Sequence, residues 1–279
     1  MSPLRVACIQ MRSGVEIAAN IDTACAMIRD AADQGAGFIA TPEMTNLVDI
    51  RPGMGRQKAL PENKSPALKA FTALAEELQI WLLIGSLAIT IKDDKRLLNR
   101  SYLIGPNGKI AARYDKINMF DVDVEDGQSY RESRSYRAGE IASLVQTSIA
   151  AFGLTICYDV RFPELYRTLG QAGAQIITCP AAFTQVTGQA HWHTLLRARA
   201  IENGVFIIAP AQGGTHEDGR QTYGHSLIIS PWGEIIAERA GDTPGVLLAN
   251  IDLDEVTRAR KRLPSLTHDR PYVLKTHTT

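Results

Sequence analysis

The feature that most restricts this chain is a rhythm. Short apolar runs alternate with helix-length amphipathic segments, and the alternation occurs in both halves. LRVACIQM (4–11) has the make-up of a buried strand, and Ile17 to Gln34 that of an alanine-rich helix closed by Gly35. GFIATPE (37–43) is then a strand running into a proline turn. A helix from about Ser65 to Leu78 places Leu68, Phe71, Ala75 and Leu78 on one face, and WLLIGSLAI (81–89) is the next strand. The second half repeats the pattern: strand FGLTIC (152–157), helix 162–173 with Pro163 near its first turn, strand AQIITCP (174–180). A helix over about 189–203 follows, carrying Trp192, Leu195, Leu196 and Ala200 inward and ending at Gly204. VFIIAPA, HSLIIS, EIIAERA and GVLLANIDL supply further strands. A βαβαβ order predicts sheet strands joined by helical crossovers.

Each half also holds a hairpin signal of the same shape. Leu103-Ile104-Gly105-Pro106-Asn107-Gly108-Lys109-Ile110 matches Ile228-Ile229-Ser230-Pro231-Trp232-Gly233-Glu234-Ile235, with Pro and Gly where a tight antiparallel turn wants them. Two such halves predict a pseudo-symmetric sandwich of similar layers. Between the hairpins, Asp115 to Arg137 is polar, charged and aperiodic, and a stretch that long inside a compact unit is a candidate for function. No interdomain linker interrupts the 279 residues, so one domain over 1–279 is expected, with 262–279 as a C-terminal tail.

Composition excludes several classes of partner. Thirty basic residues balance thirty acidic ones, so no long-range field draws the chain to nucleic acid or anionic lipid. With 45% apolar residues it can fill a large core, yet no apolar run approaches the roughly 18 residues of a membrane span. MSPLRVACIQ lacks the parts of a secretory leader, so a cytoplasmic location is expected. Cys8, Cys25, Cys157 and Cys179 form neither a CxxC pair nor a zinc-ligand spacing, so reduced thiols that hold no metal are expected.

Three side chains stand out because each ends a strand, where α/β sheets present functional groups. Cys157 precedes the helix that starts near Pro163. The helix dipole and the nearby Arg161 are both expected to favour its thiolate. Taken alone, a cysteine in such a place is more often inert and buried. None of the six histidines is placed by local pattern to reach it, and His191 and His193, two apart on a helix, make a poor metal pair. Glu43 in Thr-Pro-Glu and Lys116 in Tyr-Asp-Lys, each unremarkable by itself, complete a carboxylate–ammonium–thiol trio.

The segments TPEM around Glu43, YDKINMFD around Lys116 and GLTICYDVRFPEL around Cys157 resemble those of the carbon–nitrogen hydrolase (nitrilase) superfamily, in the same order. That resemblance implies an α/β fold, a four-layer α-β-β-α sandwich, forming a homodimer. It implies a hydrolase of carbon–nitrogen bonds other than peptide bonds, with a Glu43–Lys116–Cys157 triad. It also implies a second active-site glutamate in the following loop, placed at Glu132 with Glu125 as the alternative. Asn118 and Met119 depart from the His and Leu of many relatives. Such an enzyme acts through a thioester on Cys157, with Lys116 and the Tyr158 N–H stabilising the oxyanion, and needs no cofactor.

Within the superfamily, FPELYRTLGQAGAQIIT, AAFTQVTGQAHWHTLLRARAIE, AQGGTHEDGRQTYGHSLIISPWG and RLPSLTHDRPY resemble the deaminated glutathione amidases. Several of these segments are shared with ω-amidases acting on 2-oxoglutaramate. Either substrate is a small-molecule amide bearing a 2-oxoacid carboxylate. Arg161 is the expected anchor for that carboxylate, with Thr187 adding a hydroxyl contact. A non-catalytic binding protein on the same scaffold is the alternative of another class.

Overall fold

The computed structural model of the chain describes residues 3–124 and 129–278. Two six-stranded sheets dominate it. The first runs, edge to edge, Gly245–Ile251, Leu4–Gln10, Phe38–Ala40, Trp81–Thr90, Leu97–Ile104 and Ile110–Asp115. The second runs Ile235–Arg239, Ser226–Ile229, Phe206–Ala209, Ile176–Thr178, Ala151–Leu154 and Ser143–Gln146. In each, three parallel strands sit at the centre, an antiparallel hairpin flanks one side and a single antiparallel strand the other. The two Pro-x-Gly turns occupy equivalent places, so the repeat legible in the sequence is a repeat of sheet topology.

Side-chain alternation builds the layers. Along the strand Leu4–Gln10, Val6 and Cys8 face the second sheet, where Phe38 meets Phe152 with ring centroids 4.7 Å apart. Ala7 and Ile9 face the opposite way, onto Ile21, Ala24 and Ile28 of helix Ile17–Asp33 and Phe71 of helix Pro66–Leu78. Helices Pro163–Gln171 and Gln185–Asn203 cover the second sheet's outer face, through Tyr166, Leu169, Trp192 and Leu196. The result is the α-β-β-α sandwich.

Several boundaries differ from the sequence reading. The stretch 115–137 is not wholly irregular: Asp121–Asp123 pairs with Ser129–Arg131, and a 3-10 turn spans Glu132–Arg134. The helix expected from 189 begins at Gln185, because Thr184 holds the extended conformation of an N-terminal cap residue. The strand Gly245–Ile251 stops short of 253, and helix Asp254–Arg262 follows, its acids in the first turn and bases in the last. Beyond it a 3-10 turn spans Ser265–Thr267 with Leu266 buried, and Tyr272, Val273 and Leu274 further on are exposed to solvent.

Candidate active site

The cysteine sits on a sharp turn. The sheet strand ends at Leu154, and pairing continues as Thr155 N–H donates to Thr178 O (3.2 Å) and Cys157 N–H to Pro180 O (2.9 Å). At Cys157 itself φ is +49°, a left-handed value that is uncommon for any residue but glycine. A 3-10 helix, Cys157–Arg161, starts there. Its first 3-10 bond runs from Asp159 N–H to Ile156 O (3.1 Å). The turn is held by buried Asp159, whose carboxylate accepts from Ile156 N–H (2.8 Å) and Tyr114 O–H (2.7 Å). Asp159 also accepts from the backbone N–H (3.0 Å) and the side-chain amide (2.8 Å) of Asn118. Asn118, the departure after the lysine, therefore ties the lysine loop to the cysteine turn.

Glu43 arrives on a second turn. Its strand ends at Ala40; Thr41 N–H still pairs with Leu83 O, and Met44, at φ +57°, donates its N–H to Ser86 Oγ (2.8 Å). The turn presses on Gly85, where a Cβ would lie 2.1 Å from Thr41 O, so only glycine fits. Lys116 follows the strand Ile110–Asp115 and takes Asn99 O (3.0 Å) with its N–H. Glu132 comes from the 3-10 turn after the small hairpin, and its Oε2 accepts from Phe120 N–H (2.7 Å).

These groups converge. Lys116 Nζ lies 2.9 Å from Glu43 Oε1 and 3.0 and 2.8 Å from the two oxygens of Glu132. Glu43 Oε2 accepts from Ala182 N–H at 2.8 Å, and Glu43 and Cys157 line the same cavity. Exposure is only 2% at Lys116, 3% at Glu43 and 7% at Cys157.

Burial opposes charge on Glu43, but the Lys116 ammonium, through its charge and its hydrogen bond, holds the carboxyl below its usual range. Burial likewise opposes the Lys116 charge, and Glu132 and Glu43 overcome it, keeping the ammonium well above its ordinary value. Cys157 goes the other way: burial, then the Glu43 charge, push its thiol well up against the pull of Lys116. This corrects the expected thiolate. The helix Pro163–Gln171 begins six residues on, too far for its dipole to act. The resting site holds carboxylate, ammonium and neutral thiol.

Asn99 carried no signal in the sequence. Its amide nitrogen bridges Glu43 Oε1 (2.8 Å) and Glu132 Oε1 (3.2 Å), and the two carboxylates fix the amide's orientation. Asn99→Ala is expected to lower kcat by roughly 10- to 100-fold, with KM changed far less, because one donor is lost from both acids. Steady-state kinetics check this.

A cavity of about 550 Å³ opens onto Glu43, Lys116, Glu132 and Cys157, and Tyr158 and Thr187 also line it. Thr187 lies in the first turn of its helix, bonded to Thr184 Oγ1 at 2.7 Å, not in a loop ahead of it. Arg161 is not in the lining. Its guanidinium lies over the rings of Tyr158 (5.7 Å) and Phe183 (5.4 Å), near His191 Nδ1. Glu125 lies outside the described residues. Elsewhere, Glu238 Oε1 accepts from His193 Nε2 (3.0 Å) and His225 Nδ1 (2.6 Å), while His225 Nε2 accepts from Gly241 N–H. That last bond fixes the tautomer, so the cluster is a satisfied hydrogen-bond network.

Two matched sheets that carry a buried Glu–Lys–Cys group at the ends of their strands define one class of enzyme. The carbon–nitrogen hydrolase family profile matches residues 5–261, and the chain belongs to that family, hydrolases of carbon–nitrogen bonds other than peptide bonds. It is 40% identical over 271 residues to the deaminated glutathione amidase of Synechocystis sp., covering 96% of this chain and 98% of that one. To the deaminated glutathione amidase of Bos taurus it is 38% identical over 270 residues, 95% and 82% of the two chains. The crystal structure of the C. elegans NitFhit protein matches with a TM-score of 0.88 and 34% identity over 97% of this chain and 66% of that longer one. Among the described residues no helix is long and apolar enough to cross a membrane.

Proposed function

We propose that this chain is a deaminated glutathione amidase, splitting the 2-oxoglutaramoyl amide bond through a thioester on Cys157. The observation that carries this reading is the convergence of buried Glu43, Lys116 and Cys157 on one cavity, with Lys116 Nζ 2.9 Å from Glu43 Oε1. Glu43, held deprotonated, takes the thiol proton as Sγ attacks the amide carbon. Charge developing on the oxygen is met by Lys116, which stays cationic, and by the Tyr158 N–H. The C–N bond then breaks, the leaving amine takes the proton from Glu43, and water activated by Glu43 cleaves the thioester. Glu132 positions Lys116 and the substrate amide.

The cavity's charge supports an anionic substrate. Among the described residues, seven Arg and Lys side chains line it, against the carboxylates of Glu43, Asp49 and Glu132. Deaminated glutathione carries two carboxylates, one at each end. Thr187 and Tyr158 contact the substrate directly, and Arg161 acts through the Tyr158 and Phe183 rings it stacks on. We further propose a cytoplasmic homodimer; sedimentation velocity at micromolar concentration is expected to give twice the monomer mass.

Turnover of deaminated glutathione set against 2-oxoglutaramate tests the substrate. A kcat/KM at least about 10-fold higher for the tripeptide is expected, since only it places a second carboxylate in the cationic cavity. A preference for the smaller amide makes the chain an ω-amidase instead.

A further inference from the structure

Arg220 lies at the end of a hairpin turn that the mechanism above does not use. The hairpin pairs Gly213–Thr215 with Gln221–Tyr223, and His216 N–H donates to Arg220 O (2.8 Å) across the turn. It is pinned on every side. Buried His216 spans Ser13 O (2.8 Å) and Thr222 Oγ1 (2.7 Å). Glu217 accepts from Val15 N–H (2.8 Å), and Asp218 from Ile50 N–H (2.7 Å). On the other edge Tyr223 N–H donates to Phe183 O (2.9 Å). A side chain on such a platform is held in one place.

That side chain enters the cavity that Glu43, Lys116 and Cys157 share. Arg220 Nη2 donates to Ala182 O at 3.2 Å, and the same residue's N–H donates to Glu43. Arg220 Nε is buried and has no hydrogen-bond partner, and among the described residues no carboxylate pairs with the guanidinium. Its charge nonetheless reaches Glu43, helping to keep that carboxyl ionised. The residue is half-buried, and a guanidinium whose buried Nε donor is left open is costly unless an incoming anion completes it. The planar fork of Arg suits a carboxylate. Arg161, by contrast, is occupied behind the wall by two rings and a histidine.

We propose that Arg220 is a specificity-determining residue that binds a carboxylate of the substrate inside the active-site cavity. This rests on the amidase reading above and deepens it.

The test separates binding from chemistry. Affinity for deaminated glutathione and for 2-oxoglutaramate is measured by calorimetry in a Cys157→Ala background, with and without Arg220→Gln or Arg220→Lys. Steady-state kinetics of the single Arg220 variants run beside it, and melting temperatures confirm folding. Arg220→Gln is expected to weaken binding, and raise KM, roughly 10- to 100-fold, with Arg220→Lys recovering part of the loss. Weakening with both compounds places the contact on the oxoacid half; weakening with the tripeptide alone places it on the leaving half. Either result supports the anchor. Unchanged affinity overturns it, and so does a fall in kcat alone, since Arg220 would then act through Ala182 on Glu43. Wild-type protein that binds but does not hydrolyse either compound refutes the substrate reading and leaves the anchor standing. Wild-type protein that binds neither overturns both.

Discussion

Cys157→Ala is expected to cut amide hydrolysis by roughly four to six orders of magnitude while the protein melts within a few degrees of the wild type. The large loss follows from mechanism: without the sulfur there is no acyl acceptor, and what remains is binding and oxyanion stabilisation. The small change in stability follows from structure. Alanine meets the same left-handed φ of +49° that cysteine already occupies, so no new backbone strain enters. Only one buried sulfur is removed, beside a carboxylate that disfavours its ionisation. Release of 2-oxoglutarate and a thermal melt check both halves. Residual turnover within about tenfold of wild type would remove Cys157 from the chemistry. Cys179 is the natural control: burial pushes its thiol up to about 12, and it lies under the turn, with its Sγ 3.8 Å from Cys157 O.

The layers and most of the site were legible because they depend on local periodicity. Strands such as Leu4–Gln10 and helices such as Pro66–Leu78 announce themselves by which residues face which way, and both were bounded to within about one residue. Glu43, Lys116 and Cys157 each follow a strand, which made the trio suggestive, and the resemblance of the segments around them to one family singled them out. What was not legible depends on contacts between distant segments. Asn99 lies mid-strand and differs from any inward polar residue only in facing Glu43 and Glu132. Asp159 gives no sign that it receives four hydrogen bonds from three segments. The cysteine's ionisation was misjudged for the same reason. Arg161 and the helix were visible in the sequence, whereas the Glu43 charge and the depth of burial that oppose them were not. Arg220 sits in a turn of His, Glu, Asp and Gly that looks solvated, and only the fold brings it beside Glu43.

Lys116→Met is expected to be both inactive and unstable, and the sign of its pH dependence identifies the cause. Methionine keeps most of the volume, so packing changes little; what goes is the ammonium that pairs with both acids. Oxyanion support falls by roughly 100- to 1,000-fold in kcat. Stability falls by about 3–5 kcal/mol at neutral pH, because two largely buried carboxylates are left uncompensated. In the wild type the Glu43 carboxyl is held below its ordinary 4.5, so its stabilisation is complete above that value and is lost as pH falls through the lower folded one. In the variant, burial and the neighbouring Glu132 raise the Glu43 carboxyl instead. The folded state then binds more protons than the unfolded chain, and stability declines as pH rises from about 4.5 through the raised value. Between about pH 7 and pH 5 the variant's melting temperature should therefore climb on acidification, while this group gives the wild type no such gain. A variant that loses stability in parallel with the wild type over that range would mean that Lys116 acts by packing, and that the charge balance assigned to Glu43 and Glu132 is wrong.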